Sequence, residues 1–139
     1  MRHLPVWLAA LWWGSLTTLG FFVVPMLFAN LPTPAMAGNM AAKLFSAQTA
    51  ISAACGLLML LTFGSKRPLV PEKTARDATL FVVGGVLLAL LVEFGVAPRI
   101  VARENLALWH GLGSGMYLGQ WLCAAVVFGK LIHKVSAAR

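Results

Sequence analysis

Four side chains within apolar stretches of this 139-residue sequence offer most of its chemistry: Glu93, His110, Lys43 and Gln48. A glutamate and a histidine can exchange protons, bind cations or ligate metals, and a lysine and a glutamine can pair with polar groups of a ligand. Ser114 follows His110 by about one helical turn and adds a hydroxyl. We therefore take Glu93, His110, Lys43, Gln48 and Ser114 as candidate ligand-binding residues.

Three residues also allow a metal interpretation. His110 and Glu93 provide nitrogen and oxygen, and Met26 provides a thioether sulfur, so they are candidate ligands for a metal ion or a haem iron. The sequence contains no HExxH or CxxC motif. His133 lies ~34 Å beyond His110 on a continuous helix, which excludes a site shared by both histidines of that helix. No Ser-His-Asp set or phosphate loop is present, so no catalytic residue is predicted.

The composition indicates the solvent around these residues. Hydrophobic residues make up 60% of the sequence and charged residues 11%, whereas soluble domains carry roughly 25% charged residues. A soluble core of this size would not bury so much apolar surface, so we expect the chain to lie in a lipid bilayer. In a bilayer, the formal net charge of +7 is explained by the topology of the chain and by attraction to anionic lipid headgroups. A nucleic-acid site would need a basic face with aromatic side chains for stacking. We do not expect one, because the tryptophans lie within or at the ends of apolar helices.

Four apolar stretches are long enough to cross a hydrocarbon core of about 30 Å, which needs about 20 helical residues. They span residues 4–28, 40–64, 78–98 and 106–132. Lipid favours helices, because each segment must satisfy its own backbone polar groups. The sequence predicts an all-α, polytopic membrane protein, a single domain over residues 1–139 that forms a four-helix transmembrane bundle. The first stretch exceeds the roughly 7–15 apolar residues of a signal peptide, so we expect it to be retained.

Lysine and arginine are distributed unequally between the two sides of such a bundle. One side carries three, which are Lys43, Arg99 and Arg103. The side with both termini carries eight, which are Arg2, Lys66, Arg67, Lys73, Arg76, Lys130, Lys134 and Arg139. Since positively charged loops stay in the cytoplasm, both termini are predicted to be cytoplasmic.

Several candidate residues fall at one depth of the predicted bundle. Glu93 lies ~7 Å inside the outer end of the third helix at Pro98. His110 and Lys43 lie at a similar depth in the fourth and second helices, and Gln48 is deeper. Because ionisable groups in a membrane are costly and are functional candidates by default, we predict a polar layer in the outer third of the bundle, open to the outside.

Structural roles explain the same residues without a ligand. Lys43 would extend its amine to the headgroups. Glu93 would pair with Lys43, Arg99 or Arg103 as a structural lock. His110 would only form a hydrogen bond to a neighbouring helix. Both interpretations stay open at the level of sequence.

Small residues recur at every fourth position on two of the helices. They are Gly111, Gly115 and Gly119 on the fourth helix, and Gly85 and Ala89 on the third. Helices in lipid associate through close packing at small residues, so both rows predict helix–helix contacts. The row on the fourth helix either packs inside the bundle or forms the seam of a homo-oligomer.

Prolines near the outer ends of the first and third helices, in FFVVPMLF and EFGVAPRIV, give the two helical hairpins a weak internal similarity. Two repeats related by an axis along the membrane normal would produce this similarity. Chance likeness between apolar helices explains it about as well.

Several blocks resemble the transmembrane-protein-205-like family, a domain of unknown function. They are LWWGSLTTLGFFVVPMLFANLP, AGNMAAKLF, VAPRIVARE and LWHGLGSGMYLG, and the resemblance covers most of the chain. It implies a small four-helix membrane protein, which we expect in a bacterial inner membrane, and no established reaction. A more distant likeness to CopD-like copper-resistance domains and HemJ-type protoporphyrinogen oxidases implies metal or haem handling. The HemJ-type proteins bind haem through a histidine of the first helix, which His3 matches most nearly.

Three hypotheses about function follow. The first is an inner-membrane protein that binds a small ligand, ion or metal in the polar layer, for transport or tolerance. The second is a haem-binding membrane oxidoreductase of HemJ-like type. The third is a structural packing subunit of a larger membrane complex. The cofactor, whether a metal ion or haem, is left unassigned, and the absence of a reaction motif favours a protein that is not an enzyme.

Overall fold

Four long helices dominate the computed structural model, which describes residues 3–65 and 69–136. Helix α1 comprises Leu4–Asn30, α2 comprises Pro34–Phe63, α3 comprises Glu72–Val101 and α4 comprises Leu106–Ser136. All four are long and apolar enough to cross a membrane, and the described residues contain no β-strand. The predicted all-α, multi-pass membrane fold is therefore confirmed.

The helices extend beyond the apolar stretches that predicted them. Helix α2 begins at Pro34 rather than at residue 40, because the Thr33 side chain accepts a hydrogen bond from the Met36 backbone N–H and caps the first turn. Helix α3 begins at Glu72, within a polar segment that hydropathy alone would leave outside. The connections between α1 and α2 and between α3 and α4 are consequently only residues 31–33 and 102–105.

Four of the cations that predict the topology, Arg2, Lys66, Arg67 and Arg139, lie outside the described residues. The prediction that both termini are cytoplasmic therefore still rests on the charge distribution of the sequence.

Helices α1 and α3 each contain a π-helical turn, at Leu19–Val23 and Val92–Val96. Each turn ends two residues before a proline, Pro25 or Pro98. A proline has no N–H, and its ring collides with the carbonyl four residues earlier, which belongs to a phenylalanine in both helices. A widened turn relieves the collision by inserting one residue. Both turns thus follow from the shared pattern FxVxP.

The core of the bundle centres on Trp12, whose side chain is fully buried and packs with Met59 and Val127. Gly85 of α3 leaves the space for this ring. A Cβ atom at Gly85 would lie 2.7 Å from the Trp12 ring and 3.2 Å from the Cys123 Cβ. This glycine therefore allows α1, α3 and α4 to approach one another closely.

The predicted small-residue rows are only partly internal. Gly85 and Ala89 are buried, and a Cβ atom at Gly119 would lie 3.2 Å from a leucine of α3. Cβ atoms at Gly111 and Gly115 would meet no atom within 4 Å. Internal packing thus accounts for the inner end of the α4 row, and a seam between two copies stays a prediction for its outer end.

Two adjacent glycines provide a matched test of this packing. Gly85→Ala should lower the free energy of unfolding by about 1–3 kcal/mol, because the new methyl group would overlap the rigid Trp12 ring. Gly84→Ala should not lower it, since a Cβ atom there would meet nothing within 4 Å. Reversible unfolding of the purified variants in detergent would measure both values. Equal stabilities would contradict the assigned contact.

Candidate functional site

A cavity of about 400 Å³ lies between all four helices, at the end of the bundle that carries the connections 31–33 and 102–105. We call it the four-helix cavity. Its wall is mostly hydrocarbon and includes the aromatic rings of Phe21, Phe28, Phe45 and Tyr117. Small-molecule sites are typically apolar cavities of roughly 300–1,000 Å³ with a few polar groups. The four-helix cavity fits that description.

Both π-helical turns line this cavity. Gly20 and Phe21 come from the turn in α1, and Val92, Glu93 and Val96 come from the turn in α3. Turns of this kind are frequent at functional sites. Glu93 lies within the turn of α3 and follows the buried residues Ala89 and Gly85 at spacings of four and eight, which place it on the inward face of the helix.

The carboxylate of Glu93 accepts a hydrogen bond from the hydroxyl of Ser46 on α2, with 2.7 Å between Oγ and Oε1. Five other hydroxyls in the helices donate instead to backbone carbonyls of their own helix; they belong to Ser15, Thr17, Ser52, Thr62 and Thr79. Bonding to the carbonyl three or four residues earlier is the usual choice for such a side chain. Ser46 departs from it, links α2 to α3 and orients the carboxylate.

Glu93 has no cationic partner in the described part of the chain. No lysine, arginine or histidine nitrogen there lies within 4 Å of its carboxylate, and the ion pair that is present joins Arg76 to Glu72 at 3.1 Å. Arg99 stacks on Trp109 instead, with its guanidinium carbon 4.4 Å from the ring centre. The structural lock considered for Glu93 is therefore not formed.

Three of the five candidate ligand-binding residues meet at the cavity: Glu93, His110 and Ser114. Glu93 is half-buried, whereas His110 and Ser114 are exposed. Lys43 is exposed and is not among the residues that line the cavity. Gln48 lies deeper in the bundle and is buried.

The candidate metal ligands do not converge. Met26 is 62% exposed and lies outside the cavity lining, whereas His110 and Glu93 belong to it. Within residues 3–65 and 69–136, no three His, Cys, Asp or Glu side chains lie close enough to hold a metal ion. His3, the haem ligand implied by the distant likeness, precedes the first cavity residue, Gly20, by ~25 Å along α1. These positions do not fit a haem held by His3 and the cavity.

Gln48 belongs to a second polar group, which we call the buried amide cluster: Ser15, Gln48, Ser52 and Gln120. The Gln48 amide donates to Ser15 Oγ at 2.9 Å and to Ser52 Oγ at 3.4 Å, and the Gln120 amide donates to Ser52 Oγ at 2.8 Å. Hydrogen bonds thus join α1, α2 and α4 in the interior of the bundle. We assign the cluster a structural role, because its members satisfy one another.

Tyr117 connects the cavity to α1 and was not among the sequence candidates. Its hydroxyl donates to the Leu16 carbonyl at 2.7 Å, and a Cβ atom at Gly20 would lie 2.6 Å from its ring. Gly20 is therefore required for the tyrosine to approach α1. Tyr117 lies seven residues after His110, so both side chains lie on one face of α4. This spacing is the signal that would have predicted Tyr117.

A family described as a domain of unknown function, DUF4149, matches residues 7–108. The matched stretch includes both π-helical turns, Ser46 and Glu93, and His110 lies just beyond it. No curated protein and no solved structure matches the chain.

The role of the buried amide cluster can be tested with two serines. Ser52→Ala removes the oxygen that accepts hydrogen bonds from two amides, and it should lower the free energy of unfolding by about 1–2 kcal/mol. Ser114→Ala should change stability little, because Ser114 makes no hydrogen bond in the described part of the chain. Unfolding titrations in mixed micelles would compare them. A Ser52 variant as stable as the Ser114 variant would contradict the role.

Proposed function

We propose that this chain, which belongs to the family described as a domain of unknown function, DUF4149, binds a small, largely apolar molecule in the four-helix cavity. The observation that carries the proposal is the cavity of about 400 Å³, with a half-buried carboxylate at its wall. A molecule of matching size would make packing contacts with residues of all four helices, and such contacts hold helices together in lipid.

Glu93, His110 and Ser114 are the proposed polar contacts of this molecule, and Ser46 orients Glu93. The aromatic rings of the wall would contact the apolar part of the ligand. An apolar body suits this wall better than a bare metal ion, because metal ions need several oxygen, nitrogen or sulfur ligands at one point. Lys43, Gln48 and Met26 receive no contact with the ligand in this proposal, because they lie outside the lining.

The cavity would face away from the cytoplasm in a bacterial inner membrane. The excess of lysine and arginine on the side with both termini supports this orientation. The resemblance to the transmembrane-protein-205-like family supports the membrane class. A binding site on that face suits capture of a molecule from outside the cytoplasm, as transport or tolerance would require.

A side chain added inside the cavity should abolish binding of a neutral probe. We expect tert-butylbenzene to bind the purified protein in dodecyl maltoside, measured by equilibrium dialysis against empty micelles. Gly38 lines the cavity, and a Cβ atom there would meet no atom within 4 Å. Gly38→Phe should therefore weaken binding by about tenfold or more, because its ring would occupy part of the cavity.

Gly84→Phe is the matched control, because Gly84 is equally open and lies outside the cavity lining. It should bind the probe as the parent does. If the parent takes up no more probe than empty micelles do, or if both variants bind equally, the proposal is wrong.

The proposed orientation predicts the labelling of two introduced cysteines. Glu104→Cys, in the connection 102–105, should react with a membrane-impermeant maleimide in cells whose outer barrier has been removed. Glu72→Cys, an exposed position at the start of α3, should react only after the membrane is permeabilised. The parent chain serves as the blank, because Cys55 and Cys123 lie within the spans. The reverse pattern would place the cavity on the cytoplasmic side.

A further inference from the structure

We infer that the ligand of the four-helix cavity is an organic cation, an ammonium group attached to an apolar body. This inference rests on the proposed function and specifies the charge of the bound molecule. It follows from the carboxylate of Glu93 at the cavity, from the Ser46 hydroxyl that orients it and from the aromatic residues that line the same cavity.

The charge of Glu93 is not neutralised by the described residues. The guanidinium group of Arg99 stacks on the ring of Trp109, and Lys43 lies outside the cavity lining. His110 lines the cavity, but no nitrogen of it lies within 4 Å of the carboxylate. An acidic group inside a membrane bundle is costly without a partner of opposite charge. A bound cation would supply that partner.

Ser46 holds the carboxylate as an acceptor. Its hydroxyl donates to Oε1 at 2.7 Å, a distance typical of a hydrogen bond to a carboxylate oxygen. The second oxygen, Oε2, accepts no hydrogen bond from the part of the chain that the structure describes. Ser46 therefore orients the carboxylate of Glu93 through one oxygen and leaves accepting capacity on the other for a ligand.

The rest of the wall favours an organic cation over a bare metal or alkali ion. Phe21, Phe28, Phe45 and Tyr117 line the cavity, and Phe45 and Tyr117 pack edge to face with ring centres 5.3 Å apart. Aromatic faces attract alkylammonium groups within about 6 Å, and sites for quaternary ammonium ligands are built from such rings. A two-chain phospholipid would place only its headgroup in a cavity of about 400 Å³. We assign a free cation whose apolar body also enters the cavity, and the lipid headgroup is tested below.

Two probes of equal shape separate charge from size. Phenyltrimethylammonium and tert-butylbenzene differ only in one atom, a positively charged nitrogen in place of a carbon. The dissociation constant of each is measured by dialysis against empty dodecyl maltoside micelles, which removes partitioning from the comparison. The informative quantity is the change in the ratio of the two constants between the parent and a variant, because the shapes and the micelle partitioning of the probes are the same in both measurements.

Glu93→Gln should shift this ratio by about tenfold toward the neutral probe, because it removes the charge and keeps the shape of the side chain. Glu104→Gln is the matched control. It removes the same charge at the same end of the bundle, but Glu104 is exposed and lies outside the cavity lining. The control should leave the ratio within about twofold of the parent value.

The outcomes separate the two proposals. If tert-butylbenzene binds to the parent and to Glu93→Gln, and the ratio is the same in both, the cavity binds molecules but the assignment of a cation is wrong. If neither probe binds the parent, the proposed function fails as well. Continued binding of the neutral probe to Glu93→Gln also shows that this variant is folded.

A lipid headgroup is tested in a second arm. Phosphatidylcholine, which carries an ammonium group, is added to the micelles at the same mole fraction as phosphatidylglycerol, which carries none. We expect neither lipid to displace phenyltrimethylammonium selectively. Displacement by phosphatidylcholine alone would show that the occupant is a lipid headgroup and would overturn the assignment of a free cation.

Discussion

A helix in lipid must satisfy its backbone hydrogen bonds within itself, and Pro25 and Pro98 each remove one donor from a membrane-spanning helix. The chain answers with a π-helical turn two residues before each proline. An inserted residue widens the helix and turns the following side chains to a new face. Because both turns lie at the same end of the bundle, this constraint brings the altered faces of α1 and α3 to one place, where the four-helix cavity lies.

The deeper half of the bundle is packed more closely than the cavity end. Around Trp12 the helices approach through Gly85, and the buried amide cluster satisfies its own donors across three helices. Nearer the cavity, Ser46 donates to Glu93 rather than to its own helix, and His110 makes no hydrogen bond in the described part of the chain. Among the described residues, the buried side-chain nitrogens without a hydrogen-bond partner are those of Trp12 and Trp13, in the deeper half. A bundle held rigid at one end can keep an incompletely packed site at the other, which is how local stability is usually divided between scaffold and binding site.

Hydropathy alone predicts the four spans. The position along each span then places Glu93, His110 and Ser114 at a similar depth. Because the rise is only about 1.5 Å per residue, small errors in the helix boundaries change this depth little. Depth does not determine which face a side chain occupies. Lys43 and Met26 have a suitable depth but lie outside the lining, and Gln48 belongs to the buried amide cluster. The π-helical turns of α1 and α3 add a rotation that a constant period of 3.6 residues cannot predict. Helix α4 has no such turn, and there the spacing of seven residues from His110 to Tyr117 carries the signal.

The two hairpins contribute unequally to the cavity, although each contains the pattern FxVxP and the π-helical turn that precedes its proline. At the position one residue before the phenylalanine of this pattern, α1 has Gly20 and α3 has Glu93. Gly20 admits the Tyr117 ring, whereas Glu93 reaches across to Ser46. The equivalent positions of the two turns thus receive an aromatic ring on one side and present a carboxylate on the other. A cavity with this asymmetry favours a molecule whose charge lies at one end and whose apolar body fills the remainder.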